Sequence, residues 1–329
     1  MKILKKSSNF GASQTPRPTN SEVPNKLNNY YLELKRLHYK MKLLDGRKVS
    51  SDIRSEIKCN VLKLIEKGVN PCLGIILVGN RSDSETYVRM KKNVCSELNI
   101  NTKLVKLADR ETEFNIIDKI EQMNRDSEIH GILIQLPLPD HINTSEVLSH
   151  ISFQKDVEGF HYDNVSNLTL GNTDKIIPPC TPKGCIDLLD HYQIPIEGKN
   201  VTVIGKSSVV GLPLSLLFLH REATVTICHI KTKNLVEMTK NADILVVACG
   251  KENLINSKHV KEGVVIIDVG INVILDETKK RGFRVVGDVD FEDVKDKCSY
   301  ITPVPGGVGP MTITTLLKNL VSLASKNKY

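Results

Sequence analysis

The sequence predicts an α/β protein of two domains, the second built on a doubly wound parallel sheet. Three observations carry this expectation. Short runs, wholly or mainly apolar and closed near glycine or proline (Leu73 to Val78, Gly131 to Leu136, Ile244 to Gly250, Val264 to Ile271), read as strands buried on both faces. Stretches with apolar residues at helical spacing lie between them. Asn200 to Ile204 passes through Gly205 into another apolar run, the strand, turn and helix order of a nucleotide site.

With 329 residues, 40% of them hydrophobic, the chain can fill two cores. No uninterrupted apolar run reaches membrane-spanning length, so it reads as soluble, with no membrane partner. The net charge of +7 is moderate and no basic stripe alternates with aromatics, which argues against nucleic acid as a partner. Eight cysteines occur singly, with no CxxC and no zinc-like histidine spacing. That fits a reducing compartment, and no metal is expected.

Taken in order, residues 1 to about 28 hold Ser, Asn, Pro, Thr and Lys with little apolar periodicity, which predicts disorder. The first 42 positions are basic and opposed only by Glu22 and Glu33. Residues 1–40 are therefore a disordered or targeting extension, and the location is cytoplasmic, or organellar if the extension is a transit peptide. Asn29 to Leu44 has helical spacing (Tyr31, Leu34, Leu37, Met41, Leu44) until Asp45 and Gly46 break it. Ser51 to Lys67 is a helix through Ile53, Ile57, Val61, Leu64 and Ile65, ended by Gly68. The strand Leu73 to Val78 is closed by Gly79 and Asn80, and Arg81 to Ser84 caps a helix from about Glu85 to Leu98. Gly131 to Leu136 is the next strand, stopped by Pro137 and Pro139.

Two features of this half carry chemistry. Ser84, Tyr87 and Lys91 share one mainly core-directed helical face, where a lysine either snorkels or has a function. Gln135 is a polar residue at the carboxyl end of an apolar strand, where open α/β sheets place ligands and where a buried amide satisfied by backbone is the plainer explanation.

The pattern changes near Asp156, the expected domain boundary. In Pro178 to Gly184, Thr181 suits a helix N-cap with Pro182 as the first helical residue. After the strand Asn200 to Ile204, Gly205 to Pro213 leads into a helix beginning near Leu214. Ser207 stands where GxGxxG would have its second glycine, and Gly211 comes one place late. Phosphate can sit on free amides at such a helix start, and a structural βα turn is the alternative. Ala223 to Cys228 is followed by His229, Ile230, Lys231 and Thr232, with no acid for a ribose 2′-hydroxyl. Lys206 and Lys231 can face a 2′-phosphate, so NADP is favoured, with NAD the alternative. Finally, Pro303 to Thr312 holds three prolines and three glycines before an apolar helix through Ile313, Leu316, Leu317 and Leu320. A rigid loop so poor in side chains suits a flat ligand pressed against main chain.

Tyr87-Val88-x-x-Lys91, Gln135-Leu136-Pro137-Leu138-Pro139, Lys155 to Phe160, Pro179 to Pro182, Gly205-Lys206-Ser207 with Val210-Gly211-x-Pro213, Asp268 to Asn272, Gly287-Asp288-Val289 and the final loop occur together and in this order. From about residue 43 onward the chain resembles the bifunctional methylenetetrahydrofolate dehydrogenase/methenyltetrahydrofolate cyclohydrolase family, the FolD type. The resemblance implies two α/β domains flanking a folate cleft, the second a Rossmann-like doubly wound parallel sheet, and a homodimer. It implies a folate-facing catalytic domain of residues 41–155 plus 305–329 and an NADP-binding domain of residues 156–304, the closing helix packing on the first domain. The implied activity is NADP-dependent oxidation of 5,10-methylenetetrahydrofolate and hydrolysis of the methenyl product to 10-formyltetrahydrofolate.

By the same resemblance Lys91, Tyr87 and Gln135 are catalytic: the lysine serves the cyclohydrolase step, the tyrosine stacks on the folate and the glutamine tunes the lysine. Folate would contact Ser84, Tyr87, Val88, Lys91, Ile134, Gln135, Leu136, Glu158, Pro305, Gly306, Gly307, Val308 and Gly309. The dinucleotide would contact Gly205, Lys206, Ser207, Lys231 and Ile271. Two positions depart from the family pattern: Glu158 replaces the usual aspartate that holds the pterin, and Ile230 replaces a serine that can hold the 2′-phosphate. A dehydrogenase-only relative and a non-catalytic dinucleotide-binding regulator are the rival functions; the retained Lys91 argues against the first, and the second predicts ligand binding with no turnover. The chain closes soon after its last helix, which leaves no room for an appended formate ligase domain.

Overall fold

The computed structural model describes residues 41–172, 174, 176–279 and 282–326. The expected helix Asn29 to Leu44 lies mostly outside these residues. Its last part is a strand, β1 (Lys42–Leu43). There the chain pairs in parallel with a later strand, so backbone ladder bonds prevail over helical spacing.

Helix α1 (Gly46–Glu66) starts five residues before the expected Ser51, because the Asp45 side chain accepts from the amides of Arg47 and Lys48. The first sheet is formed by β2 (Cys72–Val78), β3 (Asn101–Leu107) and β4 (Gly131–Ile134), all parallel, with β2 in the centre. Between them run α2 (Ser82–Glu97) and α3 (Glu113–Arg125), followed by the short α4 (Thr144–Ser149) and α5 (Tyr162–Thr169).

Helix α6 (Cys180–His191) leads to the second sheet. Its cap position is Pro179, and Thr181 is already helical with its hydroxyl 3.0 Å from that of Thr312. Pro182 is accommodated in the first turn, where its missing N–H has no helical partner to lose. β5 (Asn200–Ile204), α7 (Gly211–Leu219), β6 (Thr224–Cys228), α8 (Leu235–Lys240), β7 (Ile244–Val247) and β8 (Val264–Asp268) follow. β9 (Asn272–Leu275) and β10 (Phe283–Val286) form an antiparallel pair of their own. After α9 (Phe291–Val294), β11 (Cys298–Ile301) completes a six-stranded parallel sheet in the order β1-β11-β8-β7-β5-β6. The reversal of direction on either side of β5 and β7 is the doubly wound arrangement, with its crevice at the carboxyl ends of the strands.

The last helix, α10 (Val308–Lys326), touches both halves. Val308 and Met311 lie in one core with Leu188, Val203 and Val246. Ile313, Leu316, Leu317 and Leu320 lie in another with Leu73, Ile75 and Leu133. Helix α1 does the same through Val49 and Ile57, and Ser50 Oγ lies 2.6 Å from Thr314 Oγ1 where the two helices meet. No helix among the described residues is long and apolar enough to cross a membrane.

Candidate active site

Helix α2 carries its functional side chains inward because Ser84, Val88, Lys91, Val94 and Cys95 form its buried face. Lys91 is only 8% exposed, which rules out snorkelling, and its Nζ donates to Gln135 Oε1 at 3.0 Å. Gln135 is held in turn: its main-chain N–H donates to Ile76 O at 2.9 Å, just beyond the end of β4, and its Nε2 donates to Leu136 O at 2.7 Å. Both descriptions of Gln135 therefore apply, an amide satisfied by backbone and one whose oxygen is aimed at a lysine. The Ser84 hydroxyl, on the same helical face, is buried without a partner among the described residues. Tyr87 is half-buried, and burial pushes its phenol above the usual range, with Asp83 adding to the effect.

Glu158 enters from a tight loop after Lys155. The loop is shaped by Asp156, a buried side chain that accepts from the amides of Glu158, Gly159 and His161 and from Asn164 Nδ2. Glu158 retains some contact with solvent, yet burial raises its carboxyl to about 7, opposed by Lys91 and reinforced by Asp156. The same charges act on Cys180, whose thiol is pushed well up by burial first and Glu158 next. Lys91, Gln135, Glu158 and Cys180 are thus one neighbourhood. It also contains a residue that the sequence reading passed over. Asn319 of α10 donates to Val157 O at 3.0 Å and Pro178 O at 3.1 Å, tying the Glu158 loop to the start of α6. An amide between Leu316 and Leu320 on the core face of a helix was the available signal.

In the loop of Pro305, Gly306, Gly307, Val308 and Gly309, packing within the protein already calls for glycine at two positions. Gly307 is packed against the start of α1, where a Cβ on Gly46 would overlap its carbonyl, and Arg47 N donates to Gly306 O at 3.1 Å. Close main-chain approach is thus met here between the loop and the helix start. Gly306 has φ +122, which glycine adopts without strain. Pro305 and Gly309 are exposed, and the peptide bond between Val304 and Pro305 is cis, as is that between Leu136 and Pro137.

At the second sheet, Gly205 has φ +125 and lies against Ala248 O, so the turn after β5 runs close to the end of β7. The Ser207 hydroxyl accepts from Val210 N at 3.1 Å and so holds the turn that leads into α7. The amides of Lys206, Ser208 and Val209 make no hydrogen bond among the described residues. Lys206, Lys231 and Ile271 are all exposed at the carboxyl ends of their strands. Free amides at a helix start with two unshielded cations nearby fit a dinucleotide's phosphates. Ile230 is 95% exposed and presents no polar group there. No hydrogen bond among the described residues joins this group to Lys91.

The model of the tetrahydrofolate dehydrogenase/cyclohydrolase catalytic domain matches residues 44–158, and that of the same family's NAD(P)-binding domain matches residues 179–328. The chain is 48% identical over 286 residues to the bifunctional protein FolD of Thermodesulfovibrio yellowstonii, covering 87% of this chain and 97% of that protein. Among solved structures it resembles FolD from Campylobacter jejuni with a TM-score of 0.83 and 47% identity, covering 87% of this chain and 99% of the other. It resembles Trypanosoma brucei FolD, complexed with NADP cofactor and an inhibitor, with a TM-score of 0.84 and 35% identity, covering 87% and 98%.

Proposed function

Because the chain belongs to the tetrahydrofolate dehydrogenase/cyclohydrolase family, we infer that it carries both activities of that family. It oxidises 5,10-methylenetetrahydrofolate to the methenyl form with NADP+ and hydrolyses that product to 10-formyltetrahydrofolate. The observation that carries this reading is the buried hydrogen bond from Lys91 to Gln135 beside Glu158.

When bound, NADP+ supplies the acceptor for the electron pair leaving the one-carbon unit. In this reading the free amides after Gly205 and the Ser207 turn hold its phosphates, Lys206 and Lys231 face the 2′-phosphate, and Ile271 covers the dinucleotide. Oxidation then needs the two rings held face to face more than it needs an acid or base. Tyr87 stacks on the folate, Ser84 and the backbone near Ile134 and Leu136 line its path beside Val88, and Pro305 to Gly309 form the floor.

Hydrolysis is different, because water adds to the methenyl carbon and the ring then opens, and both steps move protons. Lys91 is the group held to do this, its ammonium anchored by the Gln135 oxygen and its position fixed by α2. Glu158 holds the pterin with a side chain one methylene longer than the family's aspartate. A homodimer belongs to the same reading; β6 is an edge strand among the described residues with Ile227 40% exposed, and sedimentation would supply the deciding mass. The working location is cytoplasmic, with organellar import by residues 1–40 as its alternative.

The test uses two assays on one preparation. Purified protein given methylenetetrahydrofolate and NADP+ should reduce the cofactor, and supplied methenyltetrahydrofolate should be hydrolysed faster than in buffer. Lys91→Met should lower that hydrolysis by about 10²- to 10⁴-fold, the usual weight of a proton-transfer group. Folded protein that turns over neither substrate rejects the function, and a fully active Lys91→Met rejects the role of Lys91.

A further inference from the structure

Two sequence motifs, Asp268 to Asn272 and Gly287 to Val289, contain acids with no part in the chemistry above, Asp268 and Asp288, and the fold brings them together. Asp288 is fully buried and accepts hydrogen bonds on both carboxylate oxygens. Its Oδ2 accepts from Cys249 N at 2.8 Å, Gly250 N at 2.9 Å and Cys249 Sγ at 3.3 Å, and its Oδ1 from Asn272 Nδ2 at 2.8 Å. Asp268, at the end of β8, accepts from Gly270 N at 2.9 Å, Asp288 N at 3.0 Å and Val289 N at 2.9 Å. Each carboxyl fills the space a side chain would need on the other's strand. A Cβ on Gly270 would overlap Asp288, and one on Gly287 would overlap Asp268.

These contacts join three pieces of chain at one point: the turn after β7, the connection from β8 to β9, and the segment after β10. The first two lie at the carboxyl ends of adjacent strands, on the ligand edge of the sheet, and the second carries Ile271. Backbone amides tied to a buried carboxyl cannot drift without leaving donors and acceptor unpaired.

Building on the function assigned above, we propose that Asp288 is a positioning residue for the dehydrogenase step. It locks the Cys249 and Gly250 turn against the Ile271 segment so that both keep register with the dinucleotide, which Asp288 itself does not touch. The residue must accept on both oxygens. An asparagine of the same size would set an NH₂ group either against the amides of Cys249 and Gly250 or against that of Asn272. The cyclohydrolase site draws nothing from this lock, since Lys91, Gln135 and Glu158 are held by α2, β4 and the Asp156 loop.

Asp288→Asn is compared with wild type by dehydrogenase and cyclohydrolase kinetics and by direct NADP+ titration. The expected result is a rise in the KM and Kd for NADP+ of about tenfold or more, with cyclohydrolase kcat and KM within about twofold of wild type. A merely structural role would lower both activities by one factor, the folded fraction, and leave the NADP+ constants alone; that outcome overturns the proposal. If Asp288→Asn gives no folded protein, Asn272→Ala decides, because its side chain is half-buried and its loss leaves the Cys249 and Gly250 bonds in place. It should raise the NADP+ KM by about threefold with cyclohydrolase retained, and unchanged NADP+ constants would overturn the proposal. Wild type that binds NADP+ but oxidises no folate would reject the function assigned above, while the titration would still read the part played by Asp288.

Discussion

Glu158 sits between a buried carboxyl and a lysine, and burial outweighs the lysine. Its carboxyl rises from 4.5 to about 7. Between those values the folded protein holds a proton that the unfolded chain has released, so this group's stabilising contribution is complete below 4.5 and lost as pH rises through about 7. Asp268 has the same sign, raised from 3.8 to about 7 by burial, opposed by its backbone donors and reinforced by Asp288. His130 runs the other way: burial lowers its value from 6.5, so its contribution is lost as pH falls below that range. Glu158→Gln isolates one of these. The stability of this variant relative to wild type should increase as pH rises from ~5 to ~8, read by urea unfolding at each pH. Parallel curves for the two proteins would refute the raised carboxyl. The acid was legible in the sequence as part of Lys155 to Phe160, but its environment was not, because Lys91 acts on it from α2 and Asn319 holds the neighbouring Val157 from α10.

Elements with one simple environment were the ones the sequence disclosed. β2, β4, β5, β7 and β8 are buried on both faces apart from one strand end and appear as mainly apolar runs, interrupted only by Thr202 and by polar ends at Asn200 and Asp268. β3 was passed over because, at the edge of its sheet, Asn101 to Leu107 mixes Lys103 and Lys106 among its apolar residues. Helix starts were misjudged where a residue usually read as a breaker is held in place by tertiary contact. Gly46 opens α1 because only glycine can lie under the carbonyl of Gly307. Gly131 poses the same kind of constraint at β4. A Cβ there would lie 2.7 Å from Leu320 Cδ1 and overlap Val157, so strand, closing helix and Glu158 loop meet at one missing side chain. Gly131→Ala should cost about 1–3 kcal/mol by overpacking, measured by denaturant unfolding, and should weaken folate binding because Val157 adjoins Glu158. Wild-type stability in that variant would mean that the loop yields freely.

At the scale of the whole molecule, α1 and α10 determine whether the two sheets behave as one body. Each helix has residues in the cores on both sides, and they are bonded to each other through Ser50, Arg54 and Thr314. Neither half can lose its core without exposing the apolar face that these helices present to the other. Unfolding of the described residues should therefore be a single transition, with ligand binding in one half stabilising both. NADP+ at 100 times its dissociation constant adds about 2.7 kcal/mol by mass action alone. Under the shared-helix arrangement this shift appears in probes of either half, such as protection of amides in β2 as well as in β5. Calorimetry with and without NADP+, together with hydrogen exchange, tests it. Two separate transitions, only one of them moved by NADP+, would show that the helices divide their contacts without coupling the sheets.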